Sequence, residues 1–133
     1  MAASIPENFH DLVTSKITFA HLGTVMKNGT PQVTPIWFSF DGKHILLNSA
    51  KGRVKDKNMR ARPHVALSIL DPDNAYRYIQ IIGEITEITE QGGDDHINAL
   101  AKKYLGQDVY PFRQPGEVRV IYKVTPTKVQ TMG

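Results

Sequence analysis

Cysteine is absent from this chain, and tryptophan occurs once. The first absence excludes a disulfide framework, a thiolate metal site and a cysteine nucleophile. It fits a reducing compartment, so the expected location is cytoplasmic. Long hydrophobic runs are missing too. No stretch approaches the ~20 apolar residues of a membrane span. The opening Met-Ala-Ala-Ser-Ile-Pro-Glu-Asn has neither the basic nor the apolar region of a signal peptide. No Gly-x-Gly-x-x-Gly fingerprint or phosphate-loop signature occurs. His10, His21, His44, His64 and His96 show no metal-ligand spacing, which argues against a zinc site. Asp71 and Asp73 read as turn formers, and Asp94 and Asp95 as helix-start charges, rather than as an acid and base. Repeats, low-complexity segments and linkers are lacking, so the 133 residues are expected to form one domain, 1–133.

What is present is a concentrated basic segment. Residues 51–62 hold Lys51, Arg53, Lys55, Lys57, Arg60 and Arg62 against Asp56 alone, a net of +5. The whole chain is only +3, so the remainder carries −2 and the basic pI is a local property. A patch of this kind favours a compact anionic ligand over an extended one. A β-rich run, 44–48, leads into it, and a helix-compatible stretch ending before Pro63 leads out. A strand end followed by small residues and a helix start rich in cations suits a phosphate. The helix terminus supplies free N–H donors and a positive dipole end. A solvated basic helix is the plainer alternative.

The remaining pattern is mostly strands. Residues 6–15 read as an opening helix, with Ser4 nearby as a cap and Pro6 suited to the first turn. Residues 17–26 and 32–40 are β-rich and joined through Asn28-Gly29. Asp41-Gly42 turns into 44–48. After the basic helix come strands 65–70 and 77–89, with Gly83 suggesting a bulge. Ile97, Leu100, Ala101, Tyr104 and Leu105 form one apolar helical stripe, opened by Asp94-Asp95 and closed by Gly106. A strand over 118–124 and an extended piece ending near Val129 complete the chain. The expected fold is mainly β, a small barrel of six to seven antiparallel strands with two to three flanking helices.

On the basic helix, 100° per residue puts Arg53, Lys57 and Arg60 on one side and Lys55 and Arg62 on another. Val54, Asn58 and Ala61 lie between them, so that face is expected to pack inward. Arg60 and Arg62 are expected in solvent. Asn58 then needs partners, either as a backbone cap or in orienting the phosphate loop.

Two runs carry a resemblance, Pro31-Gln32-Val33-Thr34-Pro35-Ile36-Trp37 and Asn48-Ser49-Ala50-Lys51-Gly52-Arg53-Val54-Lys55-Asp56-Lys57-Asn58-Met59-Arg60. They resemble the split-barrel family of pyridoxamine-5′-phosphate-oxidase-like (PPOX-like) flavin proteins. The segments 71–78 and 110–117 are similar to its branch of F420-dependent oxidoreductases. The resemblance implies a split barrel and a homodimer with two cofactor sites at the interface. It implies F420, a deazaflavin, as cofactor, with FMN as the alternative; the scaffold also serves haem. Arg53 and Lys55 fall where the family grips the cofactor phosphate, with Asn58 one turn later. Lys51 and Lys57 are candidates for the oligoglutamate tail that F420 carries and FMN lacks.

The ring is expected along the second strand. Gln32 and Thr34 share one face with Ile36, while Pro31 and Pro35 interrupt the hydrogen-bond ladder. Trp37 falls on the other face and is read as a core or dimer-contact residue before a stacking platform. Asn48 and Ser49 can bond the ribityl chain or phosphate. Arg77 and Tyr78, with Tyr76, resemble the segment contributed by the second subunit. No residue stands out as catalytic beyond Tyr78, with Arg77, as a proton source for the product. The expected reaction is hydride transfer from reduced F420 to an unsaturated or quinone-like small-molecule acceptor, in which the protein binds, orients and excludes water. The other function class is a flavin carrier or sensor without turnover. A nucleic-acid role is disfavoured, because the basic helix has no aromatic platform and no helix-turn-helix partner.

Overall fold

A computed structural model describes residues 2–133. A short 3-10 helix, Glu7–Leu12, opens the chain. Then follow β1 (Ala20–Val25), β2 (Pro31–Ile36), β3 (Phe38–Phe40), β4 (Ile45–Ala50), α1 (Val54–Ala61), β5 (His64–Asp71), β6 (Asn74–Thr89), α2 (Gly93–Leu105) and β7 (Arg119–Met132). All seven strands join one antiparallel sheet in the order β2-β1-β5-β6-β7-β4-β3.

That order explains the shape. β2 and β3 are separated by Trp37 alone, yet they occupy opposite edges of the sheet. The sheet must therefore curl until its edges meet at Trp37, giving a half-barrel. The sequence suggests one strand over 32–40; the structure breaks it at Trp37, because its halves serve different neighbours, β1 and β4. The prolines of β2 sit on an edge strand, where a missing N–H costs little.

Inside the curl, alternate strand residues form the core. β5 buries Val65, Leu67 and Ile69, β6 buries Ile79 and Ile81, and β7 buries Val120, Tyr122 and Val124. Met59 of α1 joins this cluster with no exposed surface. Each such side chain contributes about 1.5–3 kcal/mol relative to leaving it exposed.

The expected bulge near Gly83 is present, as a register shift between Ile82 and Gly83, with a second between Ile85 and Glu87. β7 runs unbroken through 119–132 because β6 pairs with it along most of that length. The opening helix is shorter than 6–15: it ends at Leu12, and no side chain caps it.

The inward face of α1 agrees with the helical-wheel expectation at Asn58 and departs from it at Val54 and Ala61. Asp56, Asn58 and Met59 are buried, whereas Ala61 is exposed and Val54 is 46% exposed. Met59 entering the core and Asp56 reaching Tyr122 set the helix phase. Arg62 is not a solvated cation either. Its Nε donates to the Val25 carbonyl at 2.6 Å, and Nη2 donates to Asn58 Oδ1 at 3.2 Å.

Candidate functional site

One cleft collects residues from seven parts of the chain. Pro35, Ile36 and Trp37 come from the β2–β3 junction, and Asn48 and Ser49 from the end of β4. Arg53 and Lys55 come from the start of α1, and Arg119 from the first residue of β7. Phe19, Ile97, Tyr110 and Phe112 complete a volume of about 200 Å³. Six of the residues singled out from sequence thus converge: Pro35, Trp37, Asn48, Ser49, Arg53 and Lys55.

The loop presenting the cations is built from its own backbone and one carboxylate. Gly52 adopts φ +94°, a left-handed conformation that favours glycine. Its N–H donates to Asp56 Oδ2 at 2.9 Å. Asp56 Oδ1 accepts from Arg60 Nε at 2.9 Å and from the Tyr122 hydroxyl at 2.5 Å. Burial opposes the charge on Asp56, but these three donors outweigh it and hold its pKa below the usual carboxylate value. The same burial and the charge on Asp56 push the Tyr122 phenol well up.

The cleft is electropositive. Lys55 is half-buried, and its pKa is depressed first by burial and then by Arg53 and Arg119. Arg119 is 4% exposed and is likewise lowered by burial, opposed by Glu117. Glu117 stands 3.5 Å from Arg53 Nη2 and 3.4 Å from Arg119 Nη1. Three cations share the cleft and one carboxylate bridges two of them, which leaves room for an added anion.

Polar atoms there await partners. The Ser49 and Thr34 hydroxyls are buried without a hydrogen bond, as is Arg119 Nη1. Unsatisfied buried groups are rare in folded proteins and cost about 1–3 kcal/mol each. Ser49 and Arg119 are among the residues that line the cleft. A phosphate-bearing ligand fits this donor set.

Behind the cleft a hydrogen-bonded chain leads from Arg119 through neutral groups. Arg119 Nε donates to Asn48 Oδ1 at 2.9 Å. Asn48 Nδ2 then donates to the Gly93 carbonyl at 3.0 Å and to His96 Nδ1 at 3.1 Å. His96 Nε2 lies 2.9 Å from Ser39 Oγ. Gly93 must be glycine: a Cβ there would stand 2.3 Å from the Arg119 carbonyl oxygen. Burial, and next the Arg119 charge, push the His96 pKa down to about 4.

The aromatic wall is continuous. Trp37 stacks on Tyr104 at 5.0 Å and 9°, and meets Tyr110 edge-on at 5.9 Å. Tyr110 meets Phe112 edge-on at 5.8 Å. Trp37 is therefore half-buried in the cleft wall, stacked on its own chain.

The other residues singled out from sequence lie off the cleft lining. Gln32 accepts from the Thr24 hydroxyl at 3.1 Å, and Thr34 sits on the same inner face of β2. Asn58 donates to Thr24 Oγ1 at 3.0 Å and approaches Met26 Sδ at 3.3 Å, so it ties α1 to β1. Lys51 pairs with Glu90 at 2.9 Å, and Lys57 is exposed. Arg77 is held by Asp11 at 2.8 Å and Asp71 at 2.9 Å. Tyr78 pairs across the sheet with Leu70 and Met132.

Sequence reasoning missed Arg119, Glu117 and His96. The available signal was a lone cation in the apolar run 118–122. No group of three or more metal-ligating side chains occurs among the described residues. Nor is any helix among them long and apolar enough to cross a membrane.

The chain matches the pyridoxamine 5′-phosphate oxidase family over residues 5–133, and it belongs to that family. Among solved structures it is similar to an F420 reductase. Their identity is 34% and the TM-score 0.83, with 95% of this chain and 98% of the other covered. It also resembles a conserved hypothetical protein of Mycobacterium tuberculosis at 21% identity and TM-score 0.74, covering 98% of this chain and 86% of that one. The second likeness speaks for the fold alone. No match is found among curated proteins.

Proposed function

We propose that the cleft receives the phosphate end of F420, and that the protein is an F420-dependent oxidoreductase. The observation that carries this reading is the convergence of Arg53, Lys55 and the unsatisfied Ser49 hydroxyl on one cleft. The 34% identity to an F420 reductase supports the deazaflavin over other flavins. Bound there, a reduced deazaflavin would supply the hydride to an unsaturated or quinone-like acceptor.

The chain's own residues bind and orient. Arg53 offers a planar fork to phosphate oxygens, and Lys55 a compact charge. Ser49 donates its unclaimed hydroxyl. Pro35, Ile36 and Trp37 wall off water beside the ring. About 200 Å³ accommodates the phosphate end but not the whole cofactor. The rest of the site is assigned to a second copy of the chain in a homodimer, from which Tyr78 would reach the ring. Exposed Lys57, and Lys51 once released from Glu90, would meet the glutamate tail.

The test is a fluorescence titration of F420 and FMN at two salt concentrations. F420 should bind more tightly, with tail length and salt both affecting affinity. Equal or stronger FMN binding without salt sensitivity would replace the deazaflavin reading with the flavin one, which the family also supports.

A further inference from the structure

A guanidinium as buried as that of Arg119 is costly unless its donors find partners. Nε has one in Asn48, and the guanidinium carbon lies 5.0 Å from the centre of the Tyr110 ring. Nη1 has none. Glu117 Oε2 is 3.4 Å away, but the two are not aligned as a hydrogen bond, and both atoms are buried and unclaimed. The other oxygen of Glu117 stands 3.5 Å from Arg53. One carboxylate thus bridges two guanidiniums, at long range from each, beside the cleft that both line.

The aim of Arg119 is set from behind. Asn48 Oδ1 is taken by Arg119 Nε, so Nδ2 must be the donor toward His96. His96 Nδ1 therefore accepts, and Nε2 carries the hydrogen that Ser39 receives. This chain permits a single orientation of the Asn48 amide, the one that holds Arg119.

We propose that Arg119 is a third arm of the anion site, positioned by Ser39, His96 and Asn48, and that Glu117 is a resident counter-ion which a cofactor phosphate replaces. The proposal rests on the reading that Arg53 and Lys55 receive that phosphate. Two free phosphate oxygens can span the two arginines as the two carboxylate oxygens of Glu117 now do, and at shorter range. Arg119 lines the site and Glu117 contacts two of its arginines; His96 acts only through Asn48 and is a positioning residue.

The experiment compares each cofactor with its phosphate-free partner: F420 with its ribityl deazaflavin core, and FMN with riboflavin. Arg119→Gln should weaken the phosphate forms by on the order of tenfold to a hundredfold and barely move the phosphate-free forms. Glu117→Gln should tighten the phosphate forms only. His96→Leu should weaken the phosphate forms, and His96→Asn, which keeps an acceptor for Asn48, should restore them. Equal losses for both members of a pair would reduce Arg119 to a structural role and overturn the proposal. Should Arg119→Gln not fold, the Glu117 and His96 variants decide. If Arg53→Ala leaves the preference for phosphate intact, the phosphate lies elsewhere, and the functional reading falls with this one. If Arg53→Ala abolishes that preference while Arg119→Gln and Glu117→Gln leave it unmoved, only this inference falls.

Discussion

The hydroxyl of Tyr122, in the middle of the core, donates to the carboxylate of Asp56 at 2.5 Å. Asp56 in turn accepts from the N–H of Gly52, so the barrel interior fixes the loop that presents Arg53 and Lys55. Tyr122→Phe removes the partner of a buried carboxylate, which should cost about 1–3 kcal/mol of stability in denaturant unfolding. Cofactor affinity should fall as well, because the loop loses its anchor. Unchanged stability would mean that Arg60 and Gly52 suffice for Asp56.

His96 predicts a pH dependence. Its folded pKa, about 4, lies below the ordinary 6.5, so protonation favours the unfolded chain. Its contribution is full above about pH 6.5 and is lost as pH falls toward 4. The loss should be on the order of 3 kcal/mol, at ~1.4 kcal/mol per pKa unit. Unfolding curves between these pH values should show a slope that His96→Asn flattens. An equal slope in the variant would assign it to other groups.

A second acid-labile point lies far from the cleft. Asp71 accepts from the Asp73 backbone N–H and pairs with Lys16 and Arg77, and its pKa falls from 3.8 to about 2. A depressed carboxylate stabilises above its unfolded value and loses that contribution as pH falls through the folded one. Acid unfolding monitored by circular dichroism should therefore steepen between about pH 4 and 2, and Asp71→Asn should remove part of that transition. Both partner carboxylates of Arg77 remain charged at neutral pH, so Arg77 should act as a structural residue. Arg77→Gln should lower stability without a selective loss of turnover.

Tyr78 is the remaining candidate for the product's proton. Tyr78→Phe should lower the reduction rate while leaving cofactor affinity intact. Because Tyr78 lies off the cleft of its own chain, this also requires a dimer. Light scattering at micromolar concentration should report two chains, with an interface above the ~2,000 Å² usual for obligate pairs. A monomer would contradict both the shared site and the role of Tyr78. Exposed Tyr76, at 80%, and Val33, at 65%, are apolar surface available to such a contact.

Much of this was legible in the sequence because local rules set it. Asp94-Asp95 and Gly106 bracket α2 within a residue or so, and the basic segment does open a helix at a strand end. Arg53 and Lys55 reach the cleft for the same local reason. What was not legible depends on the sheet's closure. The break at Trp37 follows from which strands become edges, which no window of residues reveals. Arg119 reads as one more residue of an apolar strand until β4 and α2 bring Asn48 and His96 against it. Arg62 looks like a solvent cation until the β1 carbonyl of Val25 meets it.

The most direct test of the central claim is the affinity of F420 for the parent, Arg53→Ala and Lys55→Ala, measured with the reduction rate of an activated enone or quinone. Each substitution should weaken binding by about 1.5–3 kcal/mol, the worth of a charge-assisted hydrogen bond. That is roughly tenfold to a hundredfold in Kd. Saturating cofactor should then restore most of the rate, since neither side chain need touch the ring. If both variants bind F420 as the parent does, the basic segment is a solvated helix and the cleft is not the cofactor site.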